Sequence, residues 1–451
     1  MTEARVNELP EVKVAPPGPR SRELASRLAS VESPAFEARR DARAQASRAD
    51  QGPIVYARGR GSNVVDVDDN RYVDLTAGFG ALILGHGPNV ALEAARAAED
   101  ELVLALGDVY ASELKVRACE ALAALFPEPG ARVMLGLSGA DAITCALKTA
   151  ALATGKVAAV AFEGAYHGLS YGPLAVCGLS PSFREPFAAQ LGVPVTFAPY
   201  PSRDADDADD ADVELDESLS AVRAALARGD AGAVVVEPML GRGGCVIPPS
   251  TFLPALRSLA DEAGALLVVD EIWTGMGRTG ALVACLDAGV VPDVICLGKG
   301  LGGGVPISAC IGRAGAMEAW AKHGGSTIHT GTHFGAPPAC AAALATLDAV
   351  GSSLADRAAE IGARWLEEIA EACAPFERAR VRGKGLMIGV QLGDAGEALA
   401  VARALLGRGY IVLTGGTRGD TLTLTPPLTV APELLSAFVP ELTAAIERGT
   451  A

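Results

Sequence analysis

The chain is poor in basic residues, with 38 lysines and arginines against 54 aspartates and glutamates and a formal net charge of -16. Nucleic acid and anionic membrane surfaces are bound through basic patches, so we expect neither as a partner. The sequence also lacks an uninterrupted apolar run of membrane-spanning length. Residues 1–20 are polar and proline-bearing, without the apolar core of a signal peptide. We therefore expect a cytoplasmic protein.

Cysteine is present in an odd number, nine, spread through apolar contexts such as those of Cys296 and Cys310. This distribution does not resemble a disulfide framework, and it favours small buried thiols in a reducing compartment. The acidic run at residues 202–218 lacks the glycine and the terminal glutamate spacing of an EF-hand loop. We expect that run to be a solvated, mobile surface insertion, and we predict no metal site.

The size and the order of predicted elements favour an α/β fold. The chain has 451 residues, half of them hydrophobic, which is enough for a large domain and a smaller α+β domain. Strands and helices alternate over some two hundred residues, which predicts a doubly wound, mostly parallel sheet with helices on both faces. We predict a disordered tail, an N-terminal arm with part of the small domain, a large domain and a C-terminal small domain over residues 1–20, 21–75, 76–345 and 346–451.

Two short apolar runs, residues 265–269 and 293–297, have the length and composition of buried parallel strands, and a predicted helix at residues 249–263 precedes the first. Asp270 follows the first run and Lys299 follows the second. Because ligands bind at the carboxyl ends of strands in such sheets, the two side chains make a candidate site. Taken alone, either residue could equally be a solvated lysine or a helix-capping aspartate.

An acid and an amine at this edge suit pyridoxal phosphate chemistry. A lysine amine can hold the cofactor aldehyde as a Schiff base, while an aspartate facing the pyridine nitrogen keeps that nitrogen protonated. Lys299 is followed by Gly-Leu-Gly-Gly-Gly, which leaves room for a planar group to approach the amine.

The strings VVDEIWTGMGRTG and DVICLGKGLGGGVPISA resemble the signature of class III aminotransferases, the pyridoxal-phosphate family of fold type I. The resemblance runs from about Arg58 to Leu428, and it therefore covers most of the chain. It implies a fold type I transferase in which Lys299 carries the cofactor, Asp270 holds its ring and Ile272 also contacts it.

Further cofactor contacts are expected at two strand ends. Ser138, Gly139 and Ala140 stand between a short strand and a helix, where backbone N–H groups and the helix dipole favour the cofactor phosphate. Ser138 could instead be only a helix N-cap. The resemblance also implies that Tyr166 stacks on the cofactor ring and that His167 contacts it, although such a pair more often serves packing.

The resemblance adds one glutamate and one threonine. Glu237 matches the family element Glu-Pro-x-x-Gly-x-x-Gly, and it is expected among the cofactor contacts, at the border of the substrate pocket. Thr332 matches a threonine that reaches the phosphate of the other subunit, which implies a homodimer with a shared active site and leaves a tetramer open as the larger assembly. A threonine in a glycine-rich loop could also be a simple turn residue.

The substrate pocket is expected to include Phe79, Gly80, Trp273, Arg418 and Thr423. Phe79 could as well be ordinary core. Thr423 stands where many family members carry an arginine for a substrate carboxylate. Arg418 is a hypothesis for a mobile arginine that accepts the carboxylate of a keto acid, with a surface position as its alternative.

The sequence therefore predicts a ping-pong aminotransferase. The donor is expected to be an ω-amine or ω-amino acid and the acceptor a 2-oxo acid, pyruvate or 2-oxoglutarate. An aminomutase or an amino-acid racemase or epimerase of the same family is the alternative. A nucleotide-binding protein that uses residues 298–304 for phosphate is disfavoured, because the Gly-x-x-x-x-Gly-Lys-Ser/Thr motif is missing.

Overall fold

The computed structural model describes residues 7–204, 208–322 and 325–449. The chain forms two compact units. The first unit combines Met1–Asn89 with Arg357–Ala451, and the second unit is Val90–Asp356. The sequence predicts the large domain over residues 76–345, so both observed boundaries lie further along the chain.

The strands are short, and several are rich in β-branched or small residues, as buried sheets favour. Within the described residues they are β1 Tyr56–Arg60, β2 Asn63–Asp66, β3 Arg71–Asp74, β4 Arg132–Gly136, β5 Ala158–Phe162, β6 Val195–Ala198, β7 Ala231–Val236, β8 Leu266–Asp270, β9 Val294–Leu297, β10 Ser308–Gly312, β11 Arg380–Lys384, β12 Met387–Gln391, β13 Tyr410–Ile411, β14 Leu413–Gly415 and β15 Thr421–Leu424.

The helices range from single turns to 19 residues. They are α1 Pro19–Ala29, α2 Pro34–Ser47, α3 Ala77–Gly80, α4 Val90–Glu101, α5 Glu113–Ala123, α6 Gly139–Thr154, α7 Tyr171–Ala175, α8 Pro181–Arg184, α9 Ala208–Leu226, α10 Phe252–Ala263, α11 Ala284–Asp287, α12 Ala314–Met317, α13 Pro337–Ala349, α14 Ala355–Cys373, α15 Ala395–Gly407 and α16 Pro432–Gly449. Shorter 3-10 turns cover Glu185–Gln190, Lys299–Gly302 and Glu318–Lys322, and a π-helical turn covers Val350–Leu354.

The unit boundaries differ from the predicted ones for physical reasons. Residues 76–89 join the first unit because their backbone hydrogen-bonds to it: the Leu428 N–H donates to the Ile83 carbonyl, and Gly61 exchanges two bonds with His86. The end of α13 stays with the second unit because α13 packs against α4 and α5.

The second unit holds a seven-stranded sheet in the order β4-β10-β9-β8-β7-β5-β6. Strand β8 is parallel to both β7 and β9, and Asp270 at its end is paired in register with Cys296. Only β10 runs antiparallel to its two neighbours in this sheet. The predicted mostly parallel α/β sheet is therefore confirmed, and β8 and β9 match the two predicted apolar runs.

The core beside this sheet is built from small side chains. Helix α6 packs against β4, β9 and β10. Its buried face carries Ala142, Cys145, Ala146 and Ala150, which allow the helix to approach the strands closely. The cysteines at this layer are buried thiols, as expected from their apolar sequence contexts.

The first unit contains two four-stranded sheets, β1-β2-β3-β13 and β11-β12-β15-β14. The sequence predicts a disordered tail over residues 1–20. Residues 1–6 lie outside the described residues, and residues 7–20 are ordered. Glu11 forms a backbone bridge with Arg71, and the Glu8 N–H donates to Asn63 Oδ1 at 2.7 Å. Helix α1 begins at Pro19. Composition alone misses these contacts because they join residues more than fifty positions apart.

The acidic run at residues 202–218 is mostly helical, and its description as a mobile surface insertion stays a prediction. Helix α9 begins at Ala208 and continues to Leu226, so most of the run is helical. Ser218 is buried and donates to the Pro199 carbonyl. Residues 205–207 lie outside the described residues. In the part of the chain that the structure covers, we find no helix long and apolar enough to cross a membrane.

Candidate active site

Lys299 lies two residues after β9, at the start of a 3-10 turn. Its φ is +40°, in the left-handed region that costs a residue with a β-carbon about 1–3 kcal/mol. Gly298 and Gly300 on either side are buried and contribute no side-chain bulk. Strain of this kind persists only where the surroundings hold it, and it is typical of functional positions.

Asp270 ends β8 and is 3% exposed. Its Oδ2 lies 2.7 Å from His167 Nδ1, and its Oδ1 accepts the Ile272 N–H at 3.0 Å. Burial alone would lower the pKa of His167, but the hydrogen bond and charge of Asp270, with the charge of Glu237, raise it. The two side chains therefore form a buried, charge-assisted pair that fixes the direction of the carboxylate.

Glu237 follows β7 and is 4% exposed. Its carboxylate accepts the Tyr166 N–H at 2.8 Å and the Gly241 N–H at 3.0 Å. Burial raises the pKa of Glu237 to about 7, and the nearby Asp270 charge adds to the effect while His167 opposes it. This carboxylate thus binds the loops after β5 and β7 to each other.

The turn between β4 and α6 has the form of an anion site. Ser138 is the N-cap of α6, and it forms a capping box with Asp141. Asp141 Oδ2 accepts the N–H groups of Leu137 and Ser138, at 3.0 and 2.9 Å. The helical pattern leaves the first-turn N–H groups of Gly139 and Ala140 without intrahelical acceptors, and they lie at the positive end of the helix dipole.

Two glycines bring this turn against the ends of β8 and β9. A β-carbon on Gly139 would lie 2.6 Å from Ile272 Cδ1, and one on Gly298 would lie 3.5 Å from the Gly139 α-carbon. Gly139 is therefore required for the packing of Ile272 over the turn. This contact places the helix N-terminus beside the segment that leads to Lys299.

The Lys299 side chain is half-buried, and its Nζ lies 4.4 Å from the centroid of the Trp273 ring. Burial lowers the pKa of Lys299 to about 8. The charges of Asp270 and Glu237 oppose this effect, whereas those of Arg242 and Arg278 add to it. An amine with this pKa is partly neutral at physiological pH, which nucleophilic attack on an aldehyde requires.

Arg242 and Arg278 are the residues that sequence reasoning did not single out. Arg242 stands among three glycines after Glu237. A single cation in a glycine loop that follows a predicted site residue was the sequence feature that could have identified it. Its guanidinium carbon lies 4.5 Å from the centroid of the Tyr166 ring. Arg278 belongs to the quoted signature and is 1% exposed. Burial lowers the pKa of Arg278 to about 9.

The other predicted positions are placed as follows. Tyr166 is half-buried and is tied to Glu237 through its backbone. Thr332 is exposed on the loop before α13. The second unit therefore brings together the predicted Lys299, Asp270, His167, Glu237, Tyr166, Ile272, Trp273 and the turn 138–140. No hydrogen bond or ion pair found within the described chain joins Thr332 to them.

Four predicted substrate residues lie in the first unit. Phe79 is 61% exposed with φ +61°, and Gly80 beside it is buried. Arg418 is exposed, and its Nη2 and Nε lie 2.7 and 2.9 Å from Asp420 Oδ2. Thr423 is buried in β15 between Gly389 and Leu413.

The group in the second unit fits pyridoxal phosphate. It offers an amine with a lowered pKa, a buried carboxylate and the N-terminus of a 16-residue helix for a phosphate. It also has two buried polar atoms that lack a hydrogen-bond partner in the described chain, His167 Nε2 and Trp273 Nε1. Such atoms are expected at a ligand site, because a buried donor or acceptor otherwise remains unsatisfied.

Comparison with known families agrees with this chemistry. Residues 44–446 match the family model described as aminotransferase class-III. Acetylornithine aminotransferase of Methanopyrus kandleri is 37% identical over 395 residues, which covers 87% of this chain and 94% of that protein. 4-Aminobutyrate aminotransferase of Mycobacterium bovis is 35% identical over 439 residues, which covers 92% of this chain and 96% of the other.

Solved structures give the same picture. The PLP-bound amine transaminase from an uncultivated Pseudomonas species is similar with a TM-score of 0.82 and 29% identity, and the match covers 88% of this chain and 95% of that one. A thermostable (S)-enantioselective omega-transaminase from Thermomicrobium roseum has a TM-score of 0.84 and 26% identity, with 96% and 99% covered.

Proposed function

The chain belongs to the class III aminotransferase family, and on that premise we propose that it transfers the amino group of an ω-amine or ω-amino acid to a 2-oxo acid. The cofactor is pyridoxal 5'-phosphate. The family, the fold class, the aminotransferase activity and the cofactor expected from the sequence are thereby confirmed. The observation that carries the proposal is the placement of Lys299 and Asp270 at the ends of adjacent parallel strands, beside the N-terminus of α6.

When bound, the cofactor supplies a ring that withdraws electrons from the carbon that loses a proton. Lys299 is the amine that would attach it. The Lys299 amine would also be the group that moves a proton at the substrate carbon, because its pKa of about 8 is close to the value that general acid-base catalysis favours.

Asp270, held in place by His167, would stabilise a proton on the cofactor ring and so keep the ring electron-withdrawing. Both Asp270 oxygens already accept hydrogen bonds, from His167 and from the Ile272 N–H, so the carboxylate cannot rotate freely. A buried, oriented anion stabilises a proton on the ring nitrogen facing it. We assign the phosphate to the N–H groups of Gly139 and Ala140 and to Ser138.

The ω-type donor is supported by two observations. Thr423 is neutral and buried in a strand, so it offers no charge for an α-carboxylate. Relatives named for acting on acetylornithine and 4-aminobutyrate, together with an omega-transaminase among similar structures, share the family and most of the chain length. Pyruvate or 2-oxoglutarate is the proposed acceptor, and the two half-reactions follow ping-pong order.

We also propose a homodimer with a shared active site. The segment after α4 exposes six large apolar side chains in nine residues: Leu102, Val103, Leu104, Leu106, Val109 and Tyr110. Apolar clusters of this kind commonly mark protein interfaces. Thr332 is exposed, which leaves it available for the proposed contact with the partner's cofactor phosphate.

A cytoplasmic location is proposed as well. Eight of the nine cysteines are buried thiols, and Cys119 is half-buried. Free thiols in this number suit a reducing compartment.

The test is amino transfer by the purified, cofactor-loaded protein. A panel of monoamines, diamines and ω-amino acids with pyruvate or 2-oxoglutarate should yield alanine or glutamate, as measured by chromatography. Lys299→Ala should abolish turnover, whereas Lys13→Ala, which changes an exposed lysine in the first unit, should behave like the parent. A parent that rearranges or racemises its substrate without consuming a keto acid would instead identify an aminomutase or a racemase.

A further inference from the structure

Arg242 is a cation in a loop that is packed against the site residues Glu237 and Tyr166. The loop after β7 reads Gly241-Arg242-Gly243-Gly244. The Gly241 N–H donates to one Glu237 oxygen, and the Tyr166 N–H donates to the other. A β-carbon on Gly243 would lie 2.5 Å from the Gly164 carbonyl oxygen, so this loop lies directly on the turn that precedes Tyr166.

The guanidinium of Arg242 faces aromatic rings rather than an acid. Its carbon lies 4.5 Å from the Tyr166 centroid and 5.8 Å from that of Phe183. None of the ion pairs found among the described residues includes Arg242. Stacking against rings leaves the in-plane N–H groups of a guanidinium available to an oxyanion.

Arg242 is also near the predicted site and accessible. The Tyr166 ring that it contacts is the neighbour of His167 in the chain. The charge of Arg242 lowers the pKa of Lys299, as does that of Arg278. Arg278 is 1% exposed, whereas the side chain of Arg242 is only half-buried. Of these two cations, Arg242 is therefore the one that a substrate can reach.

We propose that Arg242 binds the carboxylate of the 2-oxo acid, and of the amino acid formed from it, and so determines which acceptors the enzyme uses. This inference rests on the proposed function, since it assigns a substrate contact within the same site. Arg418, in the first unit, already donates twice to Asp420, and Thr423 carries no charge. A planar guanidinium matches a carboxylate with two parallel hydrogen bonds.

The experiment separates the two half-reactions of the loaded enzyme. Absorbance changes of the bound cofactor are followed in single turnovers, first with a primary amine that lacks a carboxylate, then with pyruvate or 2-oxoglutarate. Arg242→Gln should raise the half-saturating 2-oxo acid concentration roughly 10- to 150-fold, the usual range for a hydrogen bond to a charged group. The amine half-reaction should change less than about threefold, because that substrate has no carboxylate to lose.

Two further variants control the result. Arg242→Lys keeps the charge but loses the planar fork, and it should recover only part of the 2-oxo acid affinity. Arg228→Gln removes an exposed arginine of the same unit, paired with Asp230, and should match the parent. Equal losses in both half-reactions would show that Arg242 only supports Tyr166, and would overturn the proposal. So would a loss of 2-oxo acid affinity in Arg418→Ala but not in Arg242→Gln.

Failure of the proposed aminotransferase function can be distinguished from failure of the Arg242 assignment. If the parent transferred no amino group to any 2-oxo acid, the assigned activity would fail. Calorimetric titration of the loaded protein with 2-oxoglutarate would then still test Arg242. Weaker binding to Arg242→Gln than to the parent would support the contact, and equal or absent binding would refute it.

Discussion

The lowered pKa of Lys299 makes a quantitative prediction about how the cofactor attaches. The Lys299 pKa is about 8, against 10.5 for an ordinary lysine. At pH 7 roughly one amine in ten would be neutral, compared with roughly one in three thousand at the ordinary value, a ratio of about 300. Because only the neutral amine attacks the aldehyde, attachment should accelerate about tenfold per pH unit below pH 8 and level off above it.

The measurement is stopped-flow absorbance after cofactor-free protein is mixed with pyridoxal phosphate, between pH 6 and pH 10. A simple alkylamine under the same conditions provides the cofactor's own pH dependence, and Lys299→Arg should show no covalent signal.

Changes to the charged residues near Lys299 should shift the midpoint of this pH profile in opposite directions. Glu237→Gln removes a charge that raises the Lys299 pKa, so the midpoint should fall, whereas Arg242→Gln removes one that lowers it, so the midpoint should rise. A rate that climbs without inflection to about pH 10 would refute the reasoning.

The lowered pKa of Lys299 also makes the stability of the protein depend on pH. Between about pH 8 and pH 10.5 the unfolded chain keeps the Lys299 proton that the native chain has lost. The contribution of this residue to the free energy of unfolding therefore rises with pH across that window, and it is at its most unfavourable below it.

Three other predictions concern residues that support the strands and turns around Lys299 and Asp270. Gly139→Ala would place a methyl group 2.6 Å from Ile272 Cδ1. Thermal unfolding should therefore show that the free energy of unfolding falls by about 1–3 kcal/mol. The control Gly315→Ala, whose methyl group meets nothing within 4 Å, should leave it unchanged. His167→Ala removes the hydrogen bond to Asp270, and kcat should fall roughly 10- to 150-fold with substrate affinity kept; an unchanged kcat would exclude the pairing role. Asp293→Ala removes a fully buried carboxylate that accepts the Leu267 N–H and pairs with Arg257, whereas Arg257 keeps its second partner Asp261. Denaturant unfolding should show a loss of about 1–3 kcal/mol, the cost of a buried donor left unsatisfied, and no measurable loss would be the contrary result.

Local sequence patterns predicted the central parts of the second unit. The runs before Asp270 and Lys299 form β8 and β9, because short β-branched segments with one terminal charge have few alternatives in a buried parallel sheet. Helix α10 begins at Phe252 and ends at Ala263, within three residues of its prediction. The Ser138 turn also formed as expected, since a small-residue N-cap is a local signal.

What the sequence could not reveal depends on contacts between distant residues. The tail was expected to be disordered because it is polar, yet Glu11 pairs with Arg71 across sixty positions. His167 was expected as a cofactor contact, but its tie to Asp270 joins residues 103 positions apart. The place of Arg242 against Tyr166 follows from a shared bond to Glu237, which no spacing rule encodes.

Asp293 begins the short segment that leads to Lys299, and it accepts the Leu267 N–H at 2.7 Å while it binds Arg257. Strand β9 is thus held in place at its start. At its end, the turn in which Lys299 is flanked by glycines sets the direction of the main chain. The Lys299 amine can therefore change position only by rotations about the bonds of its four methylene groups, and such rotations occur within nanoseconds. Turnover should accordingly be limited by bond breaking or by exchange of substrates, rather than by any rearrangement of the segment that bears the lysine.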